Sequence, residues 1–406
     1  MHKKVWVNIS IINLCVVALL GLTLRSKILF ALPGINYNHL LDSHSHFAFA
    51  GWVTIALLSL MVYELLPAEN IRPVYNRLFA ALAIVSWGML FAYQADNKMP
   101  SDILSAIFII ITFVFGGVFI ADIRRSAASK TVVLLAVSAI AYLILSSIGP
   151  ITLGYLFAIK SRNAIYYRDA LFTYLHLQYN GFFTLAVFSL LFHKLESHLT
   201  TKAKLYIKRF SLVLAISVLP ALFMSYLWHD PNIYLRLIAI VGSCMVFIAL
   251  ILFVIASFSI IRMTQNTMPL VRYIMFISMC AFMLKMLLQS FTIFPLVGDQ
   301  VFGNRPLIIG FLHLVFLGFV SLFILGYFMQ TQVLNTNSIL IKTGIIIFSS
   351  SVVLNEVILF LQGLGAMFIR SSYLIPWLLW GTSILLFIGA ALIAIGKLKS
   401  RQSVLE

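Results

Sequence analysis

Long runs of apolar residues, separated by short polar segments, follow one another along the whole chain. Within a run, apolar and polar residues do not alternate as in a half-buried strand, and each run approaches the roughly 20 residues that cross a bilayer as a helix. Backbone inside a membrane must satisfy its own hydrogen bonds, so such runs indicate helices. We predict twelve membrane helices, at about residues 5–24, 43–66, 75–94, 102–121, 131–158, 169–191, 207–228, 232–259, 269–291, 306–330, 340–360 and 373–396.

The composition agrees with this pattern. Hydrophobic residues make up 62% of the 406 residues, charged residues only 10%, and the mean hydropathy is +1.04. A water-soluble domain is closer to half apolar, so the composition excludes one of ordinary kind. The sequence therefore predicts an all-α integral membrane protein with a single polytopic membrane domain over residues 1–406. Lys3 and Lys4 precede an apolar run long enough to remain as the first helix.

The positive charges predict the orientation in the membrane. About two-thirds of the 28 Lys and Arg residues fall in the loops on the same side as both termini, and the positive-inside rule assigns that side to the cytoplasm. We therefore expect a multi-pass protein of the cytoplasmic (inner) membrane with both termini inside. The net charge of +16 is spread over many short loops, which indicates membrane lipid as a partner and argues against nucleic acid.

One short pattern recurs at the start of the second, sixth and tenth predicted helices. Each copy has a His, an aromatic residue three positions on, a Gly five positions on and then another aromatic residue. The copies are His46-Phe-Ala-Phe49-Ala-Gly51-Trp52, His176-Leu-Gln-Tyr179-Asn-Gly181-Phe182 and His313-Leu-Val-Phe316-Leu-Gly318-Phe319. Because they lie roughly 130 residues apart, they predict a pseudo-threefold repeat of four-helix units, at about residues 1–125, 126–259 and 260–406.

The three repeated histidines are candidate ligands. Their helices run in the same direction, so the imidazoles lie at a similar depth near the outer surface. An imidazole in hydrocarbon is costly without a partner, which makes an intramembrane His a functional hypothesis. Two neutral imidazoles can clamp a low-spin heme, and imidazole is also a common metal ligand. The alternative is a histidine that hydrogen-bonds to backbone between helices.

Two further histidines can complete such a site. His44 precedes His46 by two residues and projects to nearly the opposite side of its helix, and His229 ends the seventh helix in Trp228-His229-Asp230. Tyr179 shares the face of His176 and is a further candidate ligand.

These features together resemble subunit I of the heme-copper oxidase superfamily. The resemblance rests on twelve helices with both termini inside, the threefold repeat, and histidines on helices 2, 6, 7 and 10. The string His-Ser-His-Phe-Ala-Phe-Ala-Gly-Trp at 44–52, running on to Leu65-Leu66-Pro67, is similar to helix 2 of cbb3-type and nitric-oxide-reductase-like members. The chain length is similar to that of NnrS-like twelve-helix relatives.

The resemblance implies specific ligands. His46 and His313 match the pair that clamps a low-spin heme b, and His44 is the alternative partner on helix 2. His176 and His229 match positions that hold copper or another metal.

The chain also departs from the pattern of active family members. Phe311 stands where they carry the histidine that binds the high-spin heme. Helix 7 has the single His229 in place of adjacent histidines, and helix 6 has His176-Leu-Gln-Tyr in place of a His-Pro-Glu string. The second metal site is therefore expected to be degenerate.

Two charged residues fall inside predicted helices. Lys285 on helix 9 and Glu356 on helix 11 lie in the outer halves of their helices, where they can form an ion pair or a proton relay. The alternative is a Glu bonded to nearby side chains and a Lys whose ammonium reaches the headgroups.

Three functions remain open on the sequence. The first is a membrane heme protein for electron transfer or for O2 or NO chemistry, with a quinol or cytochrome as electron donor and with partner subunits. If it is an enzyme, it is an oxidoreductase of the terminal-oxidase or nitric-oxide-reductase kind. The second is a non-catalytic heme or metal sensor or assembly factor. The third is a secondary transporter, a class that buried charges and the interruptions at Pro150 and Pro220 also suit.

Overall fold

The computed structural model describes residues 2–263, 268–368 and 372–402. Over these ranges all regular structure is helical, and twelve helices are long and apolar enough to cross a membrane, which confirms the predicted fold class. These helices are α1 (Lys3–Leu29), α2 (Tyr37–Leu65), α3 (Val74–Ala92), α4 (Met99–Arg124), α5 (Lys130–Ala158), α6 (Ala164–His198), α7 (Thr201–His229), α8 (Ile233–Ile260), α9 (Pro269–Phe291), α10 (Arg305–Gln330), α11 (Ile339–Met367) and α12 (Leu374–Lys399).

Asparagine caps begin the three helices that carry the repeated pattern. The side chain of Asn36 accepts hydrogen bonds from the backbone N–H groups of Asn38 and His39 at the start of α2. Asn163 and Asn304 do the same for α6 and α10. A cap satisfies backbone donors that have no partner inside the helix, so each helix begins earlier than its apolar run.

Each of these helices also contains a π-helical turn that begins one or two residues after its repeated histidine. The π-turns cover Ala48–Thr54 in α2, Leu177–Phe183 in α6 and Leu314–Ser321 in α10. A π-turn pairs residue i with residue i+5 and so holds one more residue than an α-helical turn. The predicted helices are thus present. In the part of each helix that follows the π-turn, the side chains point in directions that differ from those of a regular α-helix.

The π-turns meet at the centre of the bundle. The ring of Phe49 lies 4.3 Å from that of Phe316 and 5.8 Å from that of Phe183, measured between ring centroids. The indole N–H of Trp52 donates to the hydroxyl of Ser321 at 2.8 Å, which joins α2 to α10. The three helices with the repeated pattern therefore contact one another directly.

Side chains of neighbouring helices bind the carbonyls of two π-turns. Asn13 on α1 donates to the Gly51 carbonyl at 2.6 Å, and Ser278 on α9 donates to the Phe319 carbonyl at 2.6 Å. The indole N–H of Trp87 donates in turn to Asn13 at 3.1 Å. These bonds fix α2 and α10 against the first helix of the first and third predicted repeat units. The unit boundaries themselves stay a prediction.

The π-turn of α6 is held against its neighbouring helix by close packing at a glycine. A Cβ built on Gly181 would lie 2.5 Å from the Cβ of Tyr142, so only glycine allows α5 to approach so closely. The Tyr142 hydroxyl donates to the Ala215 carbonyl of α7 at 2.7 Å. Tyr142 therefore connects three helices.

At the end of the bundle predicted to face the cytoplasm, a partly buried carboxylate joins three helices. Glu64, near the end of α2, forms an ion pair with Lys3 of α1 and accepts a hydrogen bond from Tyr327 of α10 at 3.3 Å. At the other end, a short helix Pro295–Phe302 lies between α9 and α10. The candidate ligands lie in the half of the bundle nearer this short helix.

Candidate functional site

His44 and His313 are the two predicted ligands that the structure brings together. Their imidazoles, on α2 and α10, are close enough to interact electrostatically. The guanidinium of Arg25 on α1 interacts with both rings. Three helices thus supply two imidazoles and a cation to one site.

One nitrogen of His313 is available to a ligand. Nδ1 of His313 lies 2.8 Å from the carbonyl oxygen of Ile309. Because a carbonyl only accepts hydrogen bonds, Nδ1 carries the proton and Nε2 keeps its lone pair. A backbone bond of this kind on Nδ1 is also what orients metal-bound histidines.

His44 packs against α1 with an unpaired ring nitrogen. Its Nδ1 is buried next to the carbonyl of Val17 but forms no hydrogen bond of ordinary geometry within the described part of the chain. A Cβ built on Gly21 would lie 3.3 Å from Cε1 of His44, so the glycine makes room for the ring. With Nδ1 facing α1, Nε2 is the ring nitrogen of His44 that a ligand would use.

His46 projects away from this pair. Its ring stacks on Tyr93 at 4.3 Å between centroids, and its Nδ1 lies 3.4 Å from the Tyr93 hydroxyl. Burial raises the pKa of Tyr93 to about 12, so this hydroxyl stays protonated at neutral pH. The repeat alignment favoured His46 as the partner of His313. The geometry favours His44, because two positions along a helix turn a side chain by more than half a circle.

His176 is fully buried and uses both ring nitrogens in bonds to protein. Nε2 donates to the Val218 carbonyl at 2.9 Å, which leaves Nδ1 as the acceptor for Asn180 at 3.1 Å and for Ser225 at 3.4 Å. This is the backbone-bonded arrangement that the sequence left open as the alternative to a ligand.

His229 bonds to a carboxylate at the surface. Its Nε2 lies 3.1 Å from Asp169, which also accepts a bond from the indole N–H of Trp228 at 2.9 Å. Among the residues that the structure describes, no group of three His, Cys, Asp or Glu side chains has a spacing suited to a metal ion. The metal site at His176 and His229 stays a prediction, and these hydrogen bonds do not favour it.

Lys285 and Glu356 are both inside the bundle but form no ion pair with each other in the described ranges. The ammonium of Lys285 is 1% exposed; it lies 3.9 Å from the sulfur of Met286 and 5.8 Å from the centre of the Tyr179 ring. Glu356 accepts a bond from Asn355 at 3.1 Å. A proton relay between the two stays a hypothesis.

A cavity of about 740 Å³ lies between α6, α7, α9, α10 and α11. Tyr179, Phe311 and Glu356 line it, together with Ser225 and Gln289. The edge of Phe311 meets the Tyr179 ring at 5.8 Å. No histidine is among the residues that line the cavity within the described chain. Among the described residues, Phe311 thus faces the cavity without an imidazole beside it in the lining.

The sequence reasoning missed Arg25 and Gly21. It ended the first helix at residue 24, so Arg25 was treated as a loop cation, whereas α1 continues to Leu29. The available signal was the absence of a helix breaker before Pro33 and Gly34, where the chain turns with φ +80°. Gly21 carried no signal, since a lone glycine in an apolar run does not reveal its neighbour.

Comparison with solved structures identifies the class of fold. The chain is similar to a heme-copper terminal oxidase dimer determined by cryo-electron microscopy, with a TM-score of 0.70 and 13% sequence identity, over 98% of this chain and 84% of that one. No family model matches the sequence, and no curated protein matches it. The chain therefore has the fold of a heme-copper terminal oxidase and is a multi-pass membrane protein.

Proposed function

We propose that this chain is a membrane heme protein that holds one low-spin heme b between His44 and His313 and serves electron transfer. The observation that supports the proposal is the electrostatic interaction between His44 of α2 and His313 of α10, in a chain whose fold is similar to that of a heme-copper terminal oxidase. When bound, the heme supplies reversible one-electron chemistry.

The residues present fit the group. Nε2 of His313 has a free lone pair, and Nδ1 of His44 faces α1 beside the Val17 carbonyl, which leaves its Nε2 for a ligand. Both are features that an axial ligand needs. Arg25 supplies a positive charge suited to the carboxylate groups at the edge of the porphyrin.

Electron transfer is favoured over reduction of a gas by the chemistry of the cavity. A heme that binds gas needs an axial ligand and an open position, and Phe311 offers no ligand atom. Within the described chain, the polar side chains that line the cavity are those of Tyr179, Ser225, Gln289, Thr292 and Glu356. We therefore propose a carrier or sensor in which the second site of the oxidases has been lost.

The test is the visible spectrum of the purified protein, oxidised and reduced with dithionite, before and after carbon monoxide. Sharp reduced bands that carbon monoxide does not change are expected. Three variants locate the ligands. His44→Ala and His313→Ala should each abolish the low-spin bands, whereas His46→Ala is the matched control on the same helix and should keep them.

Three results would count against the proposal. A colourless protein from heme-replete cells removes the heme altogether and favours transport. Loss of the bands in His46→Ala but not in His44→Ala would identify His46 and His313 as the ligand pair, as the repeat predicts. A shift with carbon monoxide shows a gas-binding site and supports oxygen or nitric oxide chemistry.

A further inference from the structure

The 740 Å³ cavity reaches the lipid-facing surface of the bundle between α9 and α11. Three apolar residues that line it there are themselves exposed: Leu284 is 46% exposed, Val357 50% and Phe360 53%. Exposed apolar side chains on membrane helices contact the acyl chains of the bilayer. A ligand of the cavity can therefore enter from the bilayer, and it needs an apolar part that is stable among acyl chains.

A carboxyl group supplies the charge inside the cavity. Among the described residues that line it, Glu356 is the one acid, and no Lys, Arg or His is present. Within the described chain, Glu356 accepts one hydrogen bond, from Asn355 on its own helix, and forms no ion pair. A carboxylate among apolar groups is costly unless a cation pairs with it. The cavity is therefore complementary to a positive charge.

Gln289 on α9 adds a second acceptor to the carboxyl group on α11. Gln289 lines the cavity and is 7% exposed, and its Oε1 is buried with no hydrogen-bond partner in the described ranges. An unpaired buried acceptor is destabilising, and a donor on a ligand removes that cost. A group that suits both acceptors is positively charged and carries N–H donors. A primary ammonium group has both properties.

Phenylalanine rings form much of the remaining wall. The face of an aromatic ring attracts a cation, and the attraction is stronger when the cation has lost its water. The cations of the described chain that lie over aromatic rings, Arg168 and Lys285, lie over rings outside this group. The four rings that line the cavity and are left to a ligand are those of Phe291, Phe302, Phe311 and Phe360.

We infer that the cavity binds a single-chain lipophilic amine in its ammonium form. The ammonium group pairs with Glu356 and donates to Gln289, the phenylalanine rings surround the first carbon atoms of the chain, and the rest of the chain leaves between α9 and α11 into the bilayer. A phospholipid headgroup fits less well, because the described lining offers its phosphate no Lys, Arg or His. Amine binding needs only this cavity and does not rest on the proposed heme.

The test compares three probes of equal chain length with the purified protein in phosphatidylcholine nanodiscs, after subtraction of the binding to empty nanodiscs. Decylammonium carries a charge and N–H donors, decyltrimethylammonium carries the charge alone, and decan-1-ol carries a donor without charge. We expect decylammonium to bind about tenfold more tightly than either of the others, the equivalent of 1.4 kcal/mol.

Two substitutions separate the two contacts. Glu356→Gln should remove the preference for decylammonium over decan-1-ol, and Gln289→Leu should remove its preference over decyltrimethylammonium. Glu64→Gln and Gln178→Leu are the matched controls. Glu64 is a carboxylate of the bundle that does not line the cavity, and Gln178 has a buried unpaired Oε1 that also lies outside it. Neither control should change the order of the three affinities.

Equal affinities for decylammonium and decan-1-ol would overturn the proposal, and so would an equal loss of preference in the controls. Displacement of decylammonium by phosphatidylethanolamine would assign the site to a lipid headgroup, and two hemes per chain, counted as the pyridine complex, would assign it to a macrocycle. If a variant fails to fold, the three probes on the unaltered protein still decide. A colourless protein that binds decylammonium would refute the heme proposal and leave the amine site standing.

Discussion

Arg25 is the residue whose position says most about the candidate heme site. Its guanidinium interacts with His44 and His313, and no carboxylate pairs with it among the described residues. An arginine stays charged in a protein, so a positive charge lies next to the proposed heme. A cation favours the reduced iron, which carries one positive charge less.

Replacement of Arg25 with Leu should therefore lower the midpoint potential of the heme. We expect a decrease of about 60 mV, which corresponds to a tenfold change in a one-electron equilibrium. A redox titration followed in the Soret band measures it. Arg236→Leu is the control, since Arg236 pairs with Asp230 at the surface. An unchanged potential in Arg25→Leu at full heme occupancy would contradict the assignment.

At the same scale, the sequence indicated candidate ligands but not their relative positions. It predicted His46 as the partner of His313, with His44 as the alternative. In the structure His44 interacts with His313 and His46 stacks on Tyr93, and the identity of the ligand stays a prediction. The choice depends on helix rotation, which the repeat does not specify because its three copies differ in their distance from the π-turn. His176 shares the same pattern, but protein groups bind both of its ring nitrogens. Nε2 donates to a backbone carbonyl, and Nδ1 accepts from Asn180 and Ser225.

At the scale of the helices, the π-turn of α2 is bound to α1 by one side chain, that of Asn13. Asn13 is fully buried, donates to the Gly51 carbonyl and accepts from the indole N–H of Trp87. Both partners would lose their bond if the amide were removed. Hydrogen bonds between membrane helices contribute on average about 0.6 kcal/mol each, so the two together matter for stability.

Asn13→Leu should destabilise the protein by about 1–2 kcal/mol, because a buried donor and a buried acceptor lose their partner. The measurement is the thermal unfolding midpoint in detergent. Asn8→Leu on the same helix is the control, because the Oδ1 of Asn8 is buried without a partner. Equal midpoints for the two variants would show that the Gly51 carbonyl does not need this bond.

The number and approximate position of the helices could be predicted from the sequence, whereas their exact starts and their π-turns could not. The length of each apolar run indicates a span, and all twelve spans are present. The starts of α2 and α6 were placed too late, because caps such as Asn36 extend a helix through polar residues. The π-turns gave no signal, since a run that is apolar on every side does not change its pattern when one residue is inserted.

For the molecule as a whole, the orientation in the membrane stays a prediction from the charges. Both termini are expected in the cytoplasm, with the candidate heme site in the outer half of the bundle. A C-terminal green fluorescent protein should fluoresce in bacterial cells, and a C-terminal alkaline phosphatase should be inactive. The same reporters fused after Lys160, in the loop between α5 and α6, should give the opposite pair of results.

The similarity to a terminal oxidase concerns the architecture far more than the residues, with a TM-score of 0.70 at 13% identity. The hydrogen bonds described above suggest how this is achieved. At several crossings the acceptor is a main-chain carbonyl: Gly51 receives an amide, Phe319 a serine hydroxyl and Val218 an imidazole. Every residue type presents the same carbonyl, and several side chains can serve as the donor. Such helix crossings tolerate substitutions on both sides, so the fold can be kept while most of the sequence changes.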